Sequence, residues 1–265
     1  MSSTDTAPLV DAARAADAID RLRGERHLLL LLDFDGTLCE FDPDPDAVHL
    51  PDQRRKLLLD LGNRPGVTLG IVTGRRLEDV RRRTQLGSGT YYAGLHGLQI
   101  SGPGVTFVHP DVANATHPLR KLAYTLALEF EGMPGVFVED KTYSIVAHFR
   151  DASALDAARV PDIVQSHGGP LMNDGTLRRM NGAAVIELLP NIDWNKGNAV
   201  AWIREMVAST HSDPAVVYIG DDVTDEDGFK AVRSAGLAIA ASDGVGGAHF
   251  HIDGPPAVEQ VLRTI

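Results

Sequence analysis

The sequence predicts an α/β fold: a doubly wound parallel sheet interrupted by a smaller, inserted α+β unit. Three observations carry this. Short continuous apolar runs, LLLLLDF (28–34), VTLGIVTG (67–74) and AVVYIGDD (215–222), read as strands buried on both faces, and each ends in polar residues. Segments of helical period separate these runs, the pattern of strand–helix alternation. The texture then changes near residue 108 and returns to strand–helix alternation at Lys196.

The elements follow in chain order. Val10, Ala13, Ala16, Ile19 and Leu22 recur at helical spacing, predicting an amphipathic helix over 9–22. The first strand follows at 28–34. DPDPDAVHLP (42–51) is a loop, because Pro43, Pro45 and Pro51 interrupt any helix or ladder. A helix is expected over 52–63, with Leu57, Leu58 and Leu61 as its buried stripe, then the strand 67–74 and a charged helix 75–86. YYAGLHGLQI (91–100) is strand-like, with glycines at 94 and 97. Within the insert a helix is expected over 118–135, closed by a Pro-Gly turn. A hairpin follows at 135–150 around Lys141-Thr142. A second helix (151–168) and a second strand pair (176–190) repeat that arrangement. The helix 196–207, strand 215–222, helix 224–236, strand 237–242 and helix 259–265 complete the main unit. The expected division is a main unit of residues 1–107 and 191–265 and an inserted α+β unit of residues 108–190.

Composition narrows the function classes. The 265 residues are 43% hydrophobic and 23% charged, ordinary for a globular protein. With 25 Lys plus Arg against 36 Asp plus Glu, the net charge is −11, which argues against a basic nucleic-acid face. An acidic protein acting on an anionic substrate needs local cations or a metal ion. Cys39 is the one cysteine, so neither an intrachain disulfide nor a cysteine-rich zinc site is expected. The apolar runs fall far short of the roughly 20 residues a membrane span needs. The first residues carry acids and no basic-then-apolar leader, so the expectation is a cytoplasmic protein in a reducing compartment.

Ligands of doubly wound sheets sit at the carboxyl ends of the strands. Four polar clusters are expected at strand ends: Asp33-Phe34-Asp35-Gly36-Thr37, Thr73-Gly74-Arg75, the segment around Lys196-Gly197 and Gly220-Asp221-Asp222. Converging carboxylates repel one another unless a divalent cation neutralises them, and an all-oxygen ligand set suits Mg²⁺. A threonine hydroxyl and a lysine ammonium suit phosphoryl oxygens.

D-x-D-G-T, a strand ending in Thr, a Lys and then G-D-D resemble the motifs of the haloacid dehalogenase superfamily of aspartyl-phosphate phosphatases. The resemblance implies a Rossmann-like core with Asp33 as nucleophile and Asp35 as general acid/base. It implies Mg²⁺ on the Asp33 side chain, the Asp35 carbonyl and Asp221, with Asp222 acting directly or through water. Thr73 and Lys196 are implied phosphoryl ligands, Gly36 and Thr37 offer backbone N–H groups, and Arg75 adjoins them. Within the superfamily, GLHG (94–97), EDKTYSIVAHFR (139–150), DWNKG (193–197) and GDDVTDED (220–227) resemble the trehalose-6-phosphate phosphatases. That family implies trehalose biosynthesis, with a sugar phosphate as the small-molecule partner. Glu139, Lys141 and Glu187 are its implied sugar ligands and His96 a substrate contact. No nucleic acid or membrane partner is expected, and a monomer suffices. Sucrose-phosphate and mannosylglycerate-phosphate phosphatases, which share such an inserted cap, and a non-catalytic sugar-phosphate sensor are the alternatives. LLPNI, before DWNKG, lacks a basic residue that relatives often carry there.

Weaker signals read as structural. DPDPD (42–46) fails as a calcium loop, because Ala47 and Gln53 stand where that template needs Gly and Glu. The arginines of RRLEDVRRR (75–83) read as a solvated helix face, Arg75 excepted. His249 and His251 share a face without a third zinc ligand. His96 and His148 read equally as structural histidines or substrate contacts. Cys39 reads as inert packing.

Overall fold

The computed structural model describes residues 10, 12–42, 46–182 and 184–265. The first residue of the expected N-terminal helix and the prolines Pro43 and Pro45 of the expected loop lie outside them. Two compact units emerge: Met1–Phe107 with Trp194–Ile265, and Val108–Asp193.

The first unit is built on an eight-stranded sheet of order β12-β11-β10-β1-β2-β3-β4-β5. Its strands are β1 (Leu28–Leu32), β2 (Val67–Val72), β3 (Tyr91–Gly94), β4 (Gln99–Gly102), β5 (Val105–Val108), β10 (Ala215–Gly220), β11 (Leu237–Ala240) and β12 (Phe250–His251). The pairs from β12 through β3 are parallel. The five leucines of β1 show why the run is unbroken. Leu28, Leu30 and Leu32 pack into one apolar layer, with Ile19 of α1 (Ala12–Arg23), Leu58 of α2 (Asp52–Gly62) and Val258 of α8 (Gly254–Thr264). Leu29 and Leu31 pack into the opposite layer, with Ile203 of α6 (Lys196–Ala208) and Phe229 of α7 (Glu226–Val232). Alternate side chains face opposite sides of a sheet, so a strand covered on both faces has no polar position. Burying each leucine contributes about 2 kcal/mol.

Two elements of this unit differ from expectation. The segment 91–100 is not one strand: β3 ends at Gly94, a 3-10 turn spans Leu95–Gly97, and β4 returns antiparallel. Leu95 and His96 take left-handed backbone (φ 52° and 57°) to make that reversal. Of the three arginines of α3 (Leu77–Thr84), Arg83 is less solvated than expected. Arg83 is 8% exposed and bonds to Asp79, Asp46 and the Val48 carbonyl, and Arg81 lies over the Tyr92 ring. Arg81 and Arg82 are nonetheless exposed, Arg82 at 71%, so this part of the helix is solvated as expected.

The second unit carries an antiparallel sheet of order β6-β7-β9-β8: β6 (Phe137–Asp140), β7 (Ile145–His148), β8 (Leu177–Gly182) and β9 (Val185–Pro190). Ile145, Ala147, Ile186 and Leu188 face Leu119, Leu122 and Leu126 of α4 (Val112–Glu129) and Val160 and Val164 of α5 (Ala154–Asn173). The helix α4 begins six residues before Pro118, where the sequence suggests a start. Val112, Ala115 and Leu119 continue the buried stripe across the proline, so packing outweighs the hydrogen bond the ring removes.

Candidate active site

The parallel strands β1, β2, β3 and β10 end at one edge of the sheet. Asp33 follows β1, Thr73 follows β2, His96 follows β3 and Asp221 follows β10, while Lys196 opens α6. That helix start is fixed by a reciprocal cap, in which Asn195 and Asn198 each accept the other's backbone N–H.

Asp33 is 4% exposed, and its Oδ1 lies 3.1 Å from Lys196 Nζ. Burial, then the charge of Asp225, drives the Asp33 carboxyl well above its usual range, and Lys196 offsets this only in part. Burial likewise pushes Asp221 up to about 6, aided by Asp225 and opposed by the Thr37 hydroxyl and Lys196. The Thr37 hydroxyl donates to Asp221 at 2.8 Å. Burial works against the charge of Lys196, but Asp225 and Asp33 overcome it and hold the ammonium protonated. Gly36 lets the two loops approach: its φ is +76°, and a Cβ there would stand 2.0 Å from Asp221 Oδ2.

Asp33, Asp221 and Asp225 bring carboxylate oxygens within 4.8 Å of one another. This excess of buried negative charge on oxygen donors fits a hard divalent cation. Lone-pair accounting separates the three. Asp225 Oδ1 accepts from Lys196 (2.8 Å) and the Tyr218 hydroxyl, and its Oδ2 accepts from the backbone N–H groups of Asp221 and Asp222 (3.1 Å each). Those four bonds use the four acceptor sites of a carboxylate. Asp33 and Asp221 are therefore the side chains that could hold the cation.

Other residues singled out in the sequence lie close by, with duties of their own. Both oxygens of Asp35 are taken by Arg75, from Nε at 2.8 Å and Nη2 at 2.6 Å. The Gly36 N–H donates to the Cys39 carbonyl. Thr73 is buried, and its hydroxyl accepts from the Arg75 N–H at 3.2 Å. The His96 N–H donates to the Thr73 carbonyl. A Cβ on Gly74 would stand 2.8 Å from the His96 ring, which lies against that loop. Asp222 is exposed, and its carboxylate caps its own turn at Val223 N instead of joining the cluster. Burial, then Asp35, pushes the Cys39 thiol up to about 12, which suits inert packing. His249 and His251 bond to the Ala238 N–H and the Ser242 carbonyl. Asp225 and Tyr218 escaped the sequence reading. Asp225 is one of several acids after β10 and nothing in its residue type sets it apart, and a tyrosine in a buried strand carries no signal at all.

The sheet of the second unit presents its own polar row. Glu139 and Glu187 both pair with Val146 of β7, so the three side chains share the face opposite the helices. Glu187 accepts from the Ser144 hydroxyl at 2.6 Å and lies 3.6 Å from Lys141 Nζ. Glu139 bonds to His148 at 3.1 Å, and the His148 ring stacks on Phe137. Burial raises the Glu139 carboxyl, but His148 and Lys141 outweigh it, and the net shift is downward. Such a row of acceptors and donors suits sugar hydroxyls.

The two chain crossings into this unit are adjacent. Phe107 stacks on Trp194 at 5.3 Å and meets Trp202 at 5.4 Å, and the Trp194 indole donates to the Gly97 carbonyl. No helix among the described residues is long and apolar enough to cross a membrane.

A family model described as trehalose-phosphatase matches residues 31–252. The chain is 35% identical over 264 residues to a trehalose-phosphate phosphatase of Mycobacterium bovis, covering 95% of this chain and 64% of the relative. It thus spans just under two thirds of that relative's length. Among solved structures, the trehalose-6-phosphate phosphatase C-terminal domain of Candida albicans superposes with a TM-score of 0.78 at 21% identity, covering 98% of each chain. The C-terminal domain of a Candida albicans trehalose synthase regulatory protein gives 0.69 at 13%, covering 97% and 99%. Likeness at such identities is likeness of fold.

Proposed function

The chain belongs to the trehalose-phosphatase family, and from that premise we propose that it hydrolyses trehalose 6-phosphate to trehalose and phosphate through an aspartyl phosphate on Asp33. The observation that carries the reading is the pairing of buried Asp33 with Lys196 at 3.1 Å beside Asp221, at the strand edge where phosphoryl groups are handled.

In the first half-reaction an Asp33 oxygen attacks phosphorus in line. The bond from phosphorus to the sugar oxygen breaks, and Asp35 delivers a proton to that oxygen. Asp35 has to leave Arg75 to do so, and the Arg75 guanidinium then turns to the phosphoryl oxygens. In the second half-reaction Asp35 takes a proton from water, the water oxygen attacks phosphorus, and phosphate leaves Asp33. Lys196, the Thr73 hydroxyl and the loop at Gly36-Thr37 bind the phosphoryl oxygens throughout. Asp33 and Asp221, with the Asp35 carbonyl, would hold Mg²⁺, which would supply charge neutralisation when bound. Glu139, Lys141 and Glu187 bind the sugar distal to the phosphate, and His96 contacts the substrate beside Thr73. In this reading Val108–Asp193 is the cap that sets substrate choice, and the protein is a cytoplasmic monomer.

Phosphate release from trehalose, sucrose and glucose 6-phosphates, with Mg²⁺ or with EDTA, tests the reading. Trehalose 6-phosphate should be fastest, EDTA should stop release and Mg²⁺ should restore it. Acid quenching during turnover should leave phosphate on the peptide containing Asp33. Metal-independent release would overturn the mechanism, and a preference for sucrose 6-phosphate would overturn the substrate.

A further inference from the structure

Asp225 does more than complete a cluster. Its side chain is wholly buried, and it joins Lys196 to Tyr218 through a single oxygen, Oδ1. Tyr218 lies in β10, is likewise wholly buried and meets Phe229 edge-on at 5.7 Å. The fit around the pair is close. A Cβ on Gly228 would stand 2.3 Å from the Tyr218 ring, and one on Gly220 would stand 2.3 Å from Asp225 Cγ. A phenylalanine would fill the same ring space, so packing alone does not call for the hydroxyl.

The geometry of Lys196 gives the hydroxyl a purpose. Two of the three N–H donors of an ammonium are directed here at Asp225 (2.8 Å) and Asp33 (3.1 Å), which leaves one for a phosphoryl oxygen. An Asp225 Oδ1 that accepted only from Lys196 would draw the ammonium onto itself and away from Asp33. A second donor on the same oxygen weakens that pull. We propose that Tyr218 is a positioning residue for phosphoryl transfer: its hydroxyl, acting through Asp225, keeps the Lys196 ammonium shared between Asp33 and the phosphoryl group. The proposal rests on the phosphatase reading above.

Tyr218→Phe removes the hydroxyl and keeps the ring. The variant should fold, by circular dichroism and melting temperature. Its kcat should fall by about tenfold, the usual effect of losing a charge-assisted hydrogen bond. The factor should be equal for trehalose 6-phosphate and for a small aryl phosphate, because the loss lies at the phosphoryl site. In a Lys196→Met background, assayed on the aryl phosphate at high enzyme concentration, the same change should cost less than about twofold, since residues acting as one unit are non-additive. A purely structural role predicts the full loss in both backgrounds, and that result overturns the proposal. Should Lys196→Met not fold, Tyr218→Phe decides alone: a folded variant with wild-type kcat overturns the proposal. Wild-type protein that releases phosphate from neither substrate sinks the phosphatase reading and takes this proposal with it.

Discussion

Asp33 shows how a single residue can be held against its own stability. Burial and the neighbouring Asp225 and Asp221 raise its carboxyl more than Lys196 lowers it, so the ionised form is disfavoured in the folded chain. Asp33→Asn keeps the shape and removes the charge. We expect phosphate release to vanish while the melting temperature in metal-free neutral buffer stays at or above the wild-type value. Mg²⁺ should raise the melting temperature of wild type more than that of the variant. A fall of several degrees would instead make the Asp33–Lys196 pair a net stabiliser. At this scale the site was partly legible. Asp33, Thr73 and Asp221 follow from polar residues after apolar runs, and Lys196 from the resemblance of its motif. Asp225 takes the inner position that the sequence suggests for Asp222, because the turn after β10 buries the acid four residues on and leaves its neighbour outside. Which of several adjacent acids points inward is a matter of backbone turn geometry, and residue types do not encode it.

Among the elements, α3 ties the loop after β2 to the rest of the unit. Its first-turn Asp79 accepts from Arg75, Arg82 and Arg83. Burial raises the Asp79 carboxyl, but these three bonds outweigh it and pull the group down to about 2. A carboxyl lowered on folding stabilises above its ordinary value of 3.8, and that contribution is lost as the pH falls towards about 2. Asp79→Asn should therefore melt lower than wild type at neutral pH, and the difference should narrow through that acid window. An unchanged gap between the two melting curves would contradict the assignment. In the antiparallel sheet, alanine at Glu139 or Glu187 should reduce kcat/KM on trehalose 6-phosphate by about 1–3 kcal/mol while sparing an aryl phosphate. Equal losses on both would mean that the polar row serves the sheet's own folding. Elements with a plain signal were readable, β1 above all from its unbroken apolar run. The 3-10 turn at Leu95–Gly97 was not, because left-handed backbone at two non-glycine residues has no signature in residue type.

At the scale of the molecule, the change of texture near residue 108 made the insert visible, and contacts within the chain divide it at Phe107 and Trp194. The precise point of re-entry was not legible, since it depends on Trp194 packing against Phe107 across a long separation in sequence. Because the chain leaves and re-enters the first unit side by side, replacing residues 108–193 with a short Gly-Ser bridge should leave that unit folded. The shortened protein should hydrolyse an aryl phosphate and lose its preference among sugar phosphates. Failure of the bridged chain to melt cooperatively would show that the first unit depends on the insert.

The aromatic cluster at that crossing has an optical consequence. Both tryptophans of the chain, Trp194 and Trp202, meet the same Phe107 ring, and residues 108–193 contain none. Indole emission therefore reports from a single place in the larger unit, while far-ultraviolet dichroism averages over both. Comparing the two signals through a denaturant titration tells whether the units lose structure together, without any label being attached.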